Sequence, residues 1–281
     1  MLKTPSRVSA GVPTIWMGIL NALDKEPGRW QLADDLSMIV GGSAAPESMI
    51  RRFDGHGLQL IQAWGMTETS PLGTSGRLKP AVQALDEDAR YARRATVGTT
   101  VPLVRVRIVD NEGELARRDG QSMGELQIRG PWVAGNYYRL ENSEEKFTAD
   151  GWLRTGDIAT IDAEGFGAIV GRIKDMVIRG GENVYPREIE EYLYGHPSIE
   201  DVQVIGVPDE RFGEQLCACI KLRDGASVTT EQIQEFCEGQ IAHFKIPHYV
   251  RIVDSFPMTV TGKIQKFKMR EISIEEMGLK Q

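Results

Sequence analysis

Cysteine is scarce in this chain, three in 281 residues, and an odd number cannot pair completely within one chain. A disulfide-stapled scaffold is thereby excluded, and a reducing compartment, the cytoplasm, is the expectation. Histidine is almost as rare: His56, His196, His243 and His248 share no ligand spacing with one another or with the thiols, so no zinc site is expected. No apolar run approaches the roughly 20 residues that span a bilayer, so no transmembrane segment is expected. Excess positive charge is missing too. Lys plus Arg is 33 against 40 for Asp plus Glu, a net charge of −7 and the wrong sign for a general nucleic-acid binder. What remains is a globular composition, 41% hydrophobic and 26% charged, without repeats or low-complexity stretches and long enough for one large domain or two ordinary ones.

Lys3 and Arg7 precede a mostly apolar stretch at 8–20 that imitates a secretory signal. Pro13 interrupts it and no small-x-small cleavage pattern follows, so a buried helix starting near Pro13 is expected instead. An apolar run at 36–40, a helix from Pro46 with Met49, Ile50 and Phe53 on one face, and a second run at 58–63 form a strand–helix–strand unit with parallel pairing. Residues 79–94 are polar and helix-prone, read as a solvated connector. Strict alternation at 104–108 and 124–129, with a strand–turn–strand pattern at 161–166, predicts a small antiparallel β-barrel or sandwich over 97–170. After Gly171 the texture becomes α+β, with helices at 186–194, 230–242 and 266–274 and strands at 201–207, 216–222 and 249–253. Cys217 and Cys219 alternate with apolar neighbours and read as small buried hydrophobes on one face of a strand. The expected domains are thus 1–170 (α/β over 1–96, barrel over 97–170) and a separate α+β domain over 171–281.

Four segments carry more than packing. Gly41-Gly42-Ser43-Ala44-Ala45-Pro46 follows a strand, where glycines let a backbone approach a flat or phosphorylated ligand. Trp64-Gly65-Met66-Thr67-Glu68-Thr69 sets an aromatic beside a hydroxyl and a carboxylate, suited to a base and to a phosphate-bound Mg²⁺, or to no more than a capped helix start. Trp152-Leu153-Arg154-Thr155-Gly156-Asp157 offers a carboxylate that can accept both hydroxyls of a ribose, or simply an Asp in a turn. The run 171–190, Gly-Arg-Ile-Lys-Asp-Met-Val-Ile-Arg-Gly-Gly-Glu-Asn-Val-Tyr-Pro-Arg-Glu-Ile-Glu, joins a charged junction, a Gly-Gly loop and a Pro-led helix. Near the end, Pro257-Met258-Thr259-Val260-Thr261-Gly262-Lys263 places a lysine on a Thr-Gly turn.

In order and spacing these segments resemble the adenylate-forming superfamily, most closely its acid–CoA ligases, the acyl-CoA synthetases, and the resemblance runs along essentially the whole chain. It implies activation of a carboxylic acid, fatty or related and apolar, by ATP to an acyl-adenylate and pyrophosphate, followed by transfer of the acyl group to coenzyme A. It further implies that Gly42, Ser43 and Ala44 line the adenine, with Trp64 against the base. Thr67 would contact phosphate, Glu68 would hold Mg²⁺, and Asp157 would bind the ribose with help from Arg172. Lys174 would be the hinge of a mobile C-terminal domain. Lys263 would join carboxylate and α-phosphate during adenylation, and Gly180 and Gly181 would border the thiol channel.

The chain departs from the family pattern in one large respect. Complete members are roughly twice as long, and the Ser/Thr/Gly-rich phosphate loop ending in Pro-Lys-Gly has no counterpart here. Gly98-Thr99-Thr100-Val101-Pro102 lacks the second glycine and the lysine. The expectation is the C-terminal portion of such an enzyme, in need of an N-terminal half. The rival readings are an adenylation domain that loads a carrier protein, and a noncatalytic fragment that binds a nucleotide or a partner chain.

Overall fold

The computed structural model describes residues 7–30, 32–33, 36–42, 44–77, 80–260 and 262–279; Lys3, Ser43 and Thr261 lie outside them. The chain divides into two compact units, 1–169 and 170–281.

The first unit opens with β1 (Val8–Gly11), α1 (Pro13–Lys25), β2 (Ser37–Val40), α2 (Glu47–Gly55) and β3 (Gln59–Trp64). β1 pairs parallel to β2 and β2 parallel to β3, the parallel arrangement that the strand–helix–strand pattern predicts. The apolar stretch at 8–20 is thus two elements. Val12 holds an extended conformation, and Pro13, with its fixed φ and no N–H to satisfy, starts the helix. Trp16, Leu20 and Leu23 recur at helical spacing and pack with Met49, Ile50 and Phe53 of α2 over Met38, Val40 and Leu60 of the strands. The Trp16 indole N–H reaches the Ile39 carbonyl at 3.1 Å, tying α1 to the sheet.

The polar stretch after β4 (Thr74–Ser75) forms α3 (Pro80–Gln83) and α4 (Glu87–Arg94). Most of its described residues are exposed, as expected of a solvated connector, but one face of α4 is not. Tyr91 and Arg94, three residues apart and so on one face, are buried. Both donate to the Asp54 carboxylate of α2. Pairing is what allows a charged side chain of this helix to be buried.

β4 joins β3 antiparallel and then β5 (Thr99–Thr100). A second sheet follows, β6 (Arg105–Val109), β7 (Gly124–Arg129), β8 (Leu153–Ile161) and β9 (Gly167–Arg172), in that order. The strands of the predicted barrel are present and β6–β7–β8 is antiparallel, but the sheet does not close. Four strands are too few to wrap a filled interior. The apolar face made by Ile108, Leu126, Ile128, Leu153 and Ala159 is covered instead by Trp64 and Val97.

The second unit contains the hairpin β10 (Val177–Arg179) and β11 (Glu182–Val184), then α5 (Pro186–Leu193), β12 (Ile199–Asp209), β13 (Gly213–Leu222), α6 (Thr230–Cys237), β14 (Tyr249–Ile252) and α7 (Lys266–Met277). β12 and β13 pair antiparallel, and β14 runs parallel to β13. Both faces of β13 are buried. Leu216, Ala218 and Ile220 pack with Ile189 and Leu193 of α5 and Ile233 of α6, while Cys217 and Cys219 pack with Met269 of α7. The thiols share one face, as the period-2 pattern requires, and all three cysteines are buried and unbridged. Among the described residues no helix is long and apolar enough to cross a membrane.

Candidate functional site

Parallel neighbours β2 and β3 end in register, Val40 opposite Gln62, so the loops after them leave from the same edge of the sheet. That edge is where open α/β sheets take ligands. The loop after β2 carries Gly42 and Ala44. It is pinned by Gln62, 2% exposed, whose amide accepts from the Ala45 N–H at 3.1 Å and donates to the Ala45 carbonyl at 3.2 Å and the Ala95 carbonyl at 2.7 Å.

The loop after β3 is tighter. A Cβ on Gly65 would stand 1.8 Å from the Pro71 carbonyl oxygen, so only glycine lets the chain fold back here. The Thr69 hydroxyl closes the turn, accepting the Met66 N–H at 2.9 Å and lying 2.8 Å from that same Pro71 oxygen. Thr67, Glu68 and Thr69 make a single 3₁₀ turn. Its geometry exposes Thr67 and leaves Glu68 half-buried. Glu68 is held from a distant segment. Its backbone carbonyl accepts from the Ala134 N–H at 2.7 Å. Its carboxylate Oε1 accepts from the Tyr137 hydroxyl, also at 2.7 Å. Burial, with the neighbouring carboxylate, pushes the Tyr137 phenol up to about 12, so it stays a donor across the physiological range.

Asp157 lies within β8, not at a strand end, and is only 3% exposed. Its Oδ2 accepts from the Trp64 indole N–H at 2.8 Å, across 93 residues of sequence. Trp64 is 8% exposed and belongs to the apolar core under the second sheet. The two residues singled out for base and ribose are therefore in direct contact, with the indole holding the carboxylate.

In the second unit, Arg172 ends β9 and Lys174 sits in the 3₁₀ turn Ile173–Asp175, both exposed. Gly180 and Gly181 form the β10–β11 turn with φ of +60° and +90°, the left-handed region that a tight hairpin demands. The Gly180 N–H donates to the Phe212 carbonyl at 2.8 Å. Lys263 is exposed on a narrow loop closed by a Met258–Ile264 bridge. The Thr259 N–H donates to the Lys263 carbonyl at 2.8 Å, and the Lys263 N–H to the Thr259 hydroxyl at 3.1 Å.

Among the described residues no group of three or more His, Cys, Asp or Glu could hold a metal. Mg²⁺ does not require such a group, since one or two carboxylates suffice and phosphates and water supply the other ligands. Glu68, with one oxygen engaged by a neutral phenol, fits that part. Sequence reasoning missed Tyr137 and Gln62. Tyr137 stands in no periodic pattern, Gln62 is a polar residue at an inward position of β3 between Leu60 and Trp64, and each acts on a residue of another element.

Comparison with known proteins agrees with this division. The AMP-binding enzyme family matches residues 3–138, and the AMP-binding enzyme C-terminal domain matches 188–263. The chain is 41% identical over 273 residues to the mitochondrial medium-chain acyl-CoA ligase ACSF2 of Bos taurus, covering 96% of this chain and 42% of that protein. The crystal structure of ATP-bound MatB from Rhodopseudomonas palustris superposes with a TM-score of 0.80 at 33% identity, covering 96% of this chain and 51% of that one. An anthranilate CoA ligase, AuaEII, in complex with anthranoyl-AMP, gives 0.82 at 28% identity over 97% of this chain and 51% of that one. The chain spans about half the length of the relatives it matches. By these matches the chain belongs to the adenylate-forming AMP-binding enzyme family, and it is similar within that family to acyl-CoA ligases.

Proposed function

We propose that this chain is the C-terminal portion of an AMP-forming acid–CoA ligase acting on fatty or related apolar acids. The observation that carries the reading is the pairing of Asp157 with Trp64, which ends β3 at the sheet edge from which the chain also leaves β2 toward Gly42. A nucleotide site needs a flat wall, a diol acceptor and a nearby carboxylate for its metal, and Trp64, Asp157 and Glu68 supply them on one unit. The likeness to proteins named as a medium-chain acyl-CoA ligase, an ATP-bound enzyme and an acyl-AMP complex supports the same reaction class.

In the proposed reaction a carboxylate oxygen attacks the α-phosphorus of ATP and pyrophosphate leaves. The CoA thiol, losing its proton to solvent, then attacks the acyl carbon and AMP leaves. Gly42, Ser43 and Ala44 border the adenine, Trp64 walls the base, Asp157 with Arg172 takes the ribose hydroxyls, and Thr67 donates to phosphate. Glu68 would hold Mg²⁺, which when bound would supply neutralising charge at the leaving pyrophosphate. Lys263 places a cation between carboxylate and phosphorus where negative charge develops, which is transition-state stabilisation. Lys174 is the hinge, and Gly180 and Gly181 leave a side-chain-free path for the thiol once Lys263 has withdrawn. The unbridged cysteines fit a reducing compartment, the cytoplasm on this reading, whereas the bovine relative is named as mitochondrial.

The test measures the two half-reactions separately in this chain joined to an N-terminal half. Lys263→Ala should slow adenylation roughly 10²-fold or more, by analogy with removing one preorganised electrostatic donor, and spare thioester formation from supplied acyl-adenylate. Gly181→Leu should do the reverse, obstructing the thiol and straining a φ of +90° while adenylation persists. Equal loss of both half-reactions in both variants would withdraw the roles given to Lys263 and Gly181.

A further inference from the structure

Glu68 stands on a single 3₁₀ turn, an element too short to orient a side chain with three rotatable bonds. Orientation comes from elsewhere. Residues 130–147 grip the turn at three points: the Ala134 N–H on the Glu68 carbonyl at 2.7 Å, the Trp132 indole N–H on the Leu72 carbonyl at 3.2 Å, and the Tyr137 hydroxyl on Glu68 Oε1 at 2.7 Å. Tyr137 is itself fixed. Asn136 Oδ1 accepts from the Tyr137 N–H at 2.8 Å and from the Ser143 hydroxyl at 2.5 Å, and the Tyr137 ring packs tilted at 55° against Phe147, centroids 6.1 Å apart.

The chemistry of the donor matters. A lysine or arginine here would neutralise the carboxylate, whereas a phenol orients it and leaves its full charge for a cation. Among the described residues only Oε1 is engaged, and no basic side chain pairs with Glu68. We infer that Tyr137 is a positioning residue for the nucleotide-borne divalent cation, holding Glu68 by one oxygen so that the other remains for the metal. The inference rests on the reading of Glu68 as the Mg²⁺ ligand.

Mn²⁺ with ATP, titrated into this chain joined to an N-terminal half and followed by water-proton relaxation enhancement, provides the test. Metal-free AMP binding is measured in parallel. Glu68→Gln should abolish the enhancement. Tyr137→Phe, which keeps the ring and removes the donor, should weaken Mn²⁺·ATP binding roughly tenfold, the lower end of what outer partners of metal ligands contribute. AMP affinity and the thermal midpoint should stay at the parent value. The double variant should be no weaker than Glu68→Gln alone, since the phenol acts only through that carboxylate. If Glu68→Gln weakens Mn²⁺·ATP and Tyr137→Phe does not, the inference falls and the Glu68 assignment stands. If Glu68→Gln leaves binding unchanged, or the parent chain shows no enhancement, the metal reading falls and takes the inference with it. Equal losses of AMP and Mn²⁺·ATP in Tyr137→Phe would mark a damaged loop and overturn it too.

Discussion

Asp54, Tyr91 and Arg94 show how a charged stretch becomes part of a core. Burial alone would raise the Asp54 carboxyl, but hydrogen bonds from Arg94 and Tyr91 outweigh it and hold the group below its ordinary value. Arg94 is itself buried, so removing either partner strands the other. Arg94→Met should therefore destabilise the first unit by about 2–3 kcal/mol at neutral pH, below the full range for a buried pair because Asp54 is part-exposed. Urea denaturation measures it. The sign with pH follows from the lowered carboxyl. Its contribution is complete above the unfolded value of about 4 and is lost as pH falls through the lower folded value. The gap between parent and variant should accordingly shrink in acid. An equal gap at pH 7 and pH 3 would mean that charge pairing is not the cause.

The decisive element is the turn between β3 and β4, where backbone approaches backbone. Gly65→Ala would drive a methyl into the Pro71 carbonyl and force the 65–71 turn open, carrying Thr67 and Glu68 with it. A clash of this kind is expected to cost about 2–4 kcal/mol. Faster amide exchange at Gly73, whose N–H bonds the Trp64 carbonyl, should accompany it. Gly55→Ala at the end of α2 is the control, because nothing lies within 4 Å of its added carbon. It should be neutral or stabilising by up to about 1 kcal/mol. Equal effects at the two sites would show that chain stiffness, not the close approach, governs the turn. The Trp-Gly-Met-Thr-Glu order was legible as unusual, but the requirement for glycine comes from Pro71, six residues on.

For the molecule as a whole, the division at 169/170 is the main physical statement, since each unit has its own buried clusters. Limited proteolysis should cut first within 173–176, between β9 and β10, and release a stable C-terminal fragment of roughly a hundred residues. Early cleavage elsewhere, with the junction resistant, would count against two independently folded units and against Lys174 as a hinge.

Local order was written in the chain: Pro13 started a helix, alternation marked β6 and β7, and paired glycines marked the β10–β11 turn. Such features depend on neighbours a few residues away, where steric and hydrogen-bonding rules act directly on sequence. Motif order was equally legible and pointed to the family. Tertiary structure alone decided the rest: that the antiparallel sheet stays open under Trp64, that one face of α4 is buried against Asp54, and that Trp64 holds Asp157 while Tyr137 holds Glu68. Those contacts join residues 40, 93 and 69 positions apart, and no periodicity encodes which distant donor a buried carboxylate will meet. Folding selects the partner because a carboxylate taken out of water must find one.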